Sequence, residues 1–161
     1  MERMKYVLVG GGLTSYKAIA GIRSVDEEGS ILMVTKEPHV PYDRPPLTKG
    51  FLRGEEEKES IFYDSVEELE ARNVTVAMAD PVVSLDLDAK TVTLESGVQY
   101  GFEKALYATG GQPFVLDIPG ADLEGVFTLR TVEDSERIKA EAQEGRRAVV
   151  IGAGFIGMEI A

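Results

Sequence analysis

The sequence has no cysteine, one histidine (His39), fewer basic than acidic side chains and no long apolar run. Without cysteine there is no disulfide framework, no thiolate metal site and no redox chemistry on a cysteine pair. The lone His39 sits beside prolines and reads as a surface residue. It leaves no His/Glu cluster for a metal and no Ser–His pair for hydrolysis. Seventeen Lys and Arg stand against 28 Asp and Glu, a net charge of −11. That balance argues against nucleic acid as the main partner, because a duplex needs a clustered basic face. It argues equally against an anionic membrane surface. No apolar run approaches the roughly 20 residues of a membrane span. The short run after Lys5 is too brief for the core of a secretory signal, so a cytoplasmic protein is expected. The remaining composition, 43% hydrophobic and 28% charged over 161 residues, suits a soluble chain that buries a core.

Tyr6-Val7-Leu8-Val9 is an apolar run stopped by three glycines, and reads as a buried parallel strand. Leu13, Tyr16, Ile19, Ala20 and Ile22 then recur at helical spacing, and Ile31-Leu32-Met33-Val34 is a second buried strand. Strand, glycine turn, helix and strand make one βαβ unit. Pro38, Pro41, Pro45 and Pro46 crowd the following stretch, which is expected to be a stiff connection leading into a short helix around Leu47, Lys49 and Phe51. Glu55-Glu56-Glu57-Lys58-Glu59 reads as a solvated charge run, and Ser65 with Glu67 and Glu68 opens a second helix reaching Asn73. Four β segments are expected next, at 74–78, 82–87, 91–94 and 104–108, forming a β meander. A loop rich in Pro and Gly follows, then a helix capped by Thr131. A further strand is expected at 147–151. The fold class is α/β: a Rossmann-like domain with a parallel sheet and an inserted antiparallel meander, followed by the start of a second Rossmann domain.

Chemistry concentrates at the turns. Gly10-Gly11-Gly12-Leu13-Thr14-Ser15 has the form G-x-G-x-x-S at a strand-to-helix junction. The first glycine allows a tight turn, the second lets backbone approach a pyrophosphate, and the helix N-terminus offers N–H groups to its charge. The same pattern also arises where a turn simply packs a helix close to a strand. Glu37, beside Lys36, stands roughly 20 residues past the turn, where a ribose-binding carboxylate is expected; a purely solvated glutamate is the other reading. Gly152, Gly154 and Gly157 repeat the fingerprint behind a second apolar run. Two such turns suggest a flavin and a nicotinamide on one chain. Ala108-Thr109-Gly110 reads as a tight turn where backbone approaches a cofactor, while Tyr42 and Phe51 either line that cofactor or pack in the core.

Taken in order, Val9-Gly10-Gly11-Gly12-Leu13, Pro41-Tyr42-Asp43-Arg44-Pro45-Pro46-Leu47-Thr48-Lys49-Gly50, Ala108-Thr109-Gly110-Gly111, Leu129-Arg130-Thr131 and Val150-Ile151-Gly152-Ala153-Gly154-Phe155-Ile156-Gly157 resemble the FAD-dependent pyridine nucleotide-disulfide oxidoreductases. Within that superfamily the chain is similar to the ferredoxin-reductase and apoptosis-inducing-factor branch. The resemblance implies an FAD domain split by an inserted NAD domain, with 1–126 as the first FAD segment and 127–161 as the opening of the NAD(P) domain. The chain then corresponds to the N-terminal part of such a protein, and by itself is expected not to turn over.

The resemblance also assigns roles. Gly10, Gly12, Leu13, Thr14 and Ser15 would hold the FAD pyrophosphate, and Glu37 with the Lys36 backbone the adenosine ribose. Arg44, Lys49, Val82, Ala108, Thr109, Gly110 and Arg130 match cofactor-contacting positions. Gly152, Gly154, Phe155, Ile156 and Gly157 would receive NAD(P)H, and Glu159 would pair with Lys49 beside the flavin. Phe114 stands where an arginine is frequent. Disulfide-reducing branches need a redox cysteine, which is missing here. The implied reaction therefore passes electrons from NAD(P)H through FAD to a ferredoxin- or rubredoxin-type iron–sulfur protein. An apoptosis-inducing-factor-like oxidoreductase with a quinone or oxygen acceptor and a non-catalytic nucleotide-binding fragment are the alternatives. A single-domain NAD dehydrogenase fits less well, given the meander and second fingerprint.

Overall fold

The computed structural model describes residues Met1–Ala161. In chain order its elements are β1 (Glu2–Val9), α1 (Leu13–Arg23), β2 (Ile31–Val34), α2 (Gly50–Arg53), α3 (Val66–Glu70), β3 (Val74–Ala77), β4 (Val82–Asp86), β5 (Thr91–Leu94), β6 (Gln99–Tyr107), α4 (Val132–Glu141) and α5 (Phe155–Ile160). They divide between two units, one made of Met1–Tyr42 and Phe62–Gly110, the other of Asp43–Ile61 and Gly111–Ala161.

The first unit is a six-stranded mixed sheet in the order β3-β2-β1-β6-β5-β4. β1 pairs in parallel with β2 and β6, and β2 with β3. β4, β5 and β6 are antiparallel neighbours. Strand side chains alternate between faces, and both faces of the parallel strands are covered. Leu8, Ile31, Met33 and Val74 pack with Ile19 of α1 and Leu69 of α3. Val7, Val9, Leu32 and Val34 pack on the other side with Val92, Leu94 and Phe102 of the meander. That double cover explains why all four residues of β2 are buried. β6 joins the two parts: Gly101 pairs with Thr91 of β5, while Tyr6 to Val9 run alongside Lys104 to Tyr107.

Two expectations need correction. The segment expected at 74–78 is β3, and it lies parallel to β2 instead of opening the meander. Asn73, in the left-handed region at φ 53°, turns the chain out of α3, and its carbonyl accepts from the Ile31 N–H, which starts the β2–β3 ladder. The meander therefore has three strands. The strand expected at 147–151 is absent; these residues are exposed and form no ladder. An apolar β-forming run becomes a strand only where a neighbour satisfies its N–H and C=O groups, and no strand pairs with it.

Away from the glycine turn, the middle of β1 is tied to the loop after α1. The Asp26 carboxylate accepts from the Tyr6 hydroxyl at 2.9 Å and the Gly29 N–H at 2.9 Å, and pairs with Lys5 Nζ at 2.7 Å. The Lys5 ammonium, helped by the Gly29 N–H and the Tyr6 hydroxyl, holds the Asp26 carboxyl well below the usual aspartate range. Arg23 donates to the carbonyls of Asp26 and Gly29 in the α1–β2 loop and of Arg72 and Asn73 after α3, at 2.7–3.1 Å, so one guanidinium ties that loop to the end of α3.

In the second unit, Pro45 and Pro46 start a 3₁₀ turn, Pro45–Thr48, that runs into α2. Against them packs α4, whose buried Ser135 hydroxyl donates to the Leu47 carbonyl at 2.9 Å. Thr131 and Asp134 form a reciprocal capping box at the start of α4.

Candidate functional site

At the carboxyl end of β1 the chain must turn sharply between its neighbours. Gly10 adopts φ +123°, and a Cβ there would collide with the Ala108 carbonyl oxygen. Its N–H donates to the Val34 carbonyl at 2.8 Å, and the Ala108 N–H donates to the Val9 carbonyl at 2.8 Å. The turn is thus wedged between the ends of β2 and β6. Gly11 lies against Thr35, whose Cβ would be 2.5 Å from an added Cβ. Gly12, the N-cap of α1, faces open space.

No side chain caps α1, whereas α3 and α4 both carry capping boxes. The first-turn N–H groups of α1 therefore keep their partial positive charge for an external partner. Leu13 and Thr14 are exposed beside them, while Ser15 is fully buried. The Ser15 hydroxyl has no hydrogen-bond partner. A buried unsatisfied hydroxyl costs about 1–3 kcal/mol, an unusual expense at a position where only a small side chain is needed for packing.

β2 ends at a second group of candidates. Thr35 is buried, Lys36 exposed and Glu37 half-buried. The Glu37 N–H donates to Thr35 Oγ1 at 3.1 Å, and its carboxylate accepts from the Tyr42 hydroxyl at 2.5 Å. Tyr42 is only 5% exposed, with its ring edge-on to Phe62 at 5.9 Å between centroids. Thr35 was not singled out by the sequence, because a lone threonine after an apolar strand carries no pattern. Tyr42 was open to either reading, and the four Pro-rich loop residues before it give no periodicity that would aim its hydroxyl at Glu37. Ala108 backs Gly10, and the chain leaves through Thr109 and Gly110, the last at φ +69°. Val82 begins β4 opposite Leu94, next to a register shift.

In the second unit the 3₁₀ turn delivers Thr48 buried and Lys49 exposed. Lys49 Nζ lies 3.4 Å from Glu159 Oε1, and the Thr48 hydroxyl donates to Glu159 Oε2 at 2.5 Å. The Thr48 hydroxyl lowers the Glu159 pKa below the usual glutamate value; partial burial opposes this and Lys49 reinforces it. Arg44 donates to the Arg130 carbonyl, and the Arg130 N–H donates to Asp134 at 3.0 Å. Gly152 has φ +113°, and a Cβ on Gly157 would meet the Gly152 carbonyl. Gly154 is the N-cap of α5, with no side chain capping it. Phe155 and Ile156 at its start are 92% and 56% exposed. Among the described residues no group of His, Cys, Asp and Glu is arranged for a metal.

Known proteins share this arrangement. Rhodocoxin reductase of Rhodococcus erythropolis is 36% identical over 158 residues, covering 98% of this chain and 37% of that protein. A crystal structure of a ferredoxin reductase from Rhodopseudomonas palustris superposes with a TM-score of 0.91 at 30% identity, over 97% of this chain and 38% of that one. The reductase in a covalent putidaredoxin reductase–putidaredoxin complex matches with a TM-score of 0.88 at 31% identity, over 99% of this chain and 39% of that one. The chain thus spans well under half the length of these relatives. The family described as pyridine nucleotide-disulphide oxidoreductase matches residues 4–161, and the chain belongs to it.

Proposed function

We propose that the protein is an FAD-dependent NAD(P)H oxidoreductase whose electron acceptor is an iron–sulfur protein of the ferredoxin or rubredoxin type. The observation that carries this reading is the junction of β1 and α1. An uncapped helix start, open space at Gly12 and a buried Ser15 hydroxyl without a partner coincide there. Those features fit a diphosphate, which would take the N–H groups of the first turn. The kinship with rhodocoxin and ferredoxin reductases supports the acceptor class.

In this reading 1–126 is the first FAD segment and 127–161 opens the NAD(P) domain. Gly10, Gly12, Leu13, Thr14 and Ser15 hold the diphosphate, and Glu37 with Lys36 the adenosine ribose. Val82, Ala108, Thr109, Gly110, Arg44, Lys49 and Arg130 are the further dinucleotide contacts that the family pattern assigns. Gly152, Gly154, Phe155, Ile156 and Gly157 receive NAD(P)H. Bound FAD supplies the chemistry of accepting a hydride and releasing its electrons to the acceptor. Lys49 provides a cation whose field favours negative charge near it, and Glu159 holds that cation and tempers its field.

The test uses the full-length protein loaded with FAD. Stopped-flow mixing with NADH should bleach the flavin absorbance, and a ferredoxin-type acceptor should restore it. Lys49→Ala should slow the bleaching by at least about tenfold. A wild-type protein that carries FAD but is not reduced by NADH or NADPH would refute the proposed reaction. An unchanged rate in the variant would remove Lys49 from it.

A further inference from the structure

The geometry points to Tyr42 as a positioning residue that sets the carboxylate of Glu37 for a dinucleotide ribose, and so makes the site selective for the ribose hydroxyl. This role rests on the proposed dinucleotide function. Tyr42 is 5% exposed and packs its ring on Phe62 and His39. A phenylalanine would fill that space equally well. The hydroxyl brings a polar group into a nearly closed setting, and it is satisfied by donating to Glu37 Oε2 at 2.5 Å. A phenol donating to a carboxylate makes a charge-assisted bond, stronger than a neutral one.

Glu37 is held at its other end as well, where its N–H donates to Thr35 Oγ1 at 3.1 Å. Thr35 in turn stands against Gly11 in the turn after β1. Backbone and carboxylate are therefore fixed relative to the glycine turn, with the ring of Tyr42 as the rigid strut. A glutamate on a loop loses side-chain freedom when it binds a ligand. Tying one carboxylate oxygen in advance removes much of that loss, the general route by which preorganisation raises affinity. Fixing one oxygen on Tyr42 fixes the plane of the carboxylate, and with it the direction from which the group meets a ribose hydroxyl.

The experiment measures the affinity of the full-length apoprotein for FAD and for FAD built on 2′-deoxyadenosine, by the change in flavin fluorescence. Wild type, Tyr42→Phe, Glu37→Gln and the double variant are compared, with circular dichroism and thermal midpoint recorded for each. Wild type should favour FAD over the deoxy analogue. Tyr42→Phe, which keeps the ring packing, should weaken FAD binding by roughly tenfold and leave the analogue nearly unaffected. In the Glu37→Gln background, where the amide oxygen still accepts from Tyr42 but without the charge, the same change should have a clearly smaller effect. Equal weakening of both ligands, no weakening of either, or an undiminished loss in the Glu37→Gln background would each overturn the positioning role while leaving FAD binding intact. A wild-type protein with no affinity for FAD would instead overturn the proposed function and this role with it.

Discussion

Gly10 and Gly12 stand two residues apart and are glycine for different reasons. Gly10 needs φ +123° and has no room for a Cβ, so Gly10→Ala should lower folding stability by at least about 1–3 kcal/mol, read as a drop in the urea midpoint. Gly12 has an ordinary backbone and open space around it, so no local backbone demand calls for glycine there; in the proposed reading it leaves clear the approach of the diphosphate. Gly10 was legible in the sequence, because the fingerprint encodes its backbone demand in residue type. The partners that give Glu37 its setting were not: Thr35 and Tyr42 reach it through folding of the loop, which no spacing rule records. Asp26 stands in no pattern that announces its partners, yet it ties Lys5 and Tyr6 together. Its lowered pKa has a consequence with a definite sign. The folded state prefers the carboxylate, so the stabilisation is complete above an unfolded aspartate's pKa of about 3.9 and fades as the pH falls below it. Urea midpoints of wild type and Asp26→Asn should differ at pH 7 and converge toward pH 2. A difference that stays constant across that range would mean the carboxylate does not supply it.

At the level of elements, side chains close the starts of α3 and α4 and leave those of α1, α2 and α5 open. Ser65 and Glu68 close the start of α3, and Thr131 and Asp134 that of α4. Ser65→Ala should cost about 1 kcal/mol, measured by chemical denaturation, with no effect on FAD affinity. Gly12→Asp should act in opposite directions. An aspartate N-cap on α1 should match or slightly raise the thermal midpoint, while its charge repels a diphosphate and weakens FAD binding by at least about tenfold. A variant that binds FAD as wild type does would move the diphosphate away from α1. Apolar runs, helical spacing and cap residues located α1, β2 and α4 closely from sequence. The segment at 147–151 has the same apolar signature as β1 and is no strand, because pairing is a property of neighbours and not of the run itself.

Across the molecule, the sheet order β3-β2-β1-β6-β5-β4 puts the ends of β1, β2 and β6 side by side, and with them Gly10, Thr35 and Ala108. A crevice at the carboxyl ends of parallel strands is where open α/β sheets bind ligands, and the candidate residues of the first unit converge there although they are far apart in sequence. The parallel placement of β3 was hidden, since its four residues resemble a meander strand and only the left-handed Asn73 reveals the direction of the chain. No helix is long and apolar enough to cross a membrane. The most direct test of the dinucleotide grip is a calorimetric titration of the full-length apoprotein with FAD and, separately, with FMN, which keeps the flavin but lacks the diphosphate and adenosine. The amides after Gly10 and the carboxylate of Glu37 predict saturable FAD binding that is at least about a hundredfold tighter than FMN binding. Equal affinity for the two, or no heat with FAD, would contradict it.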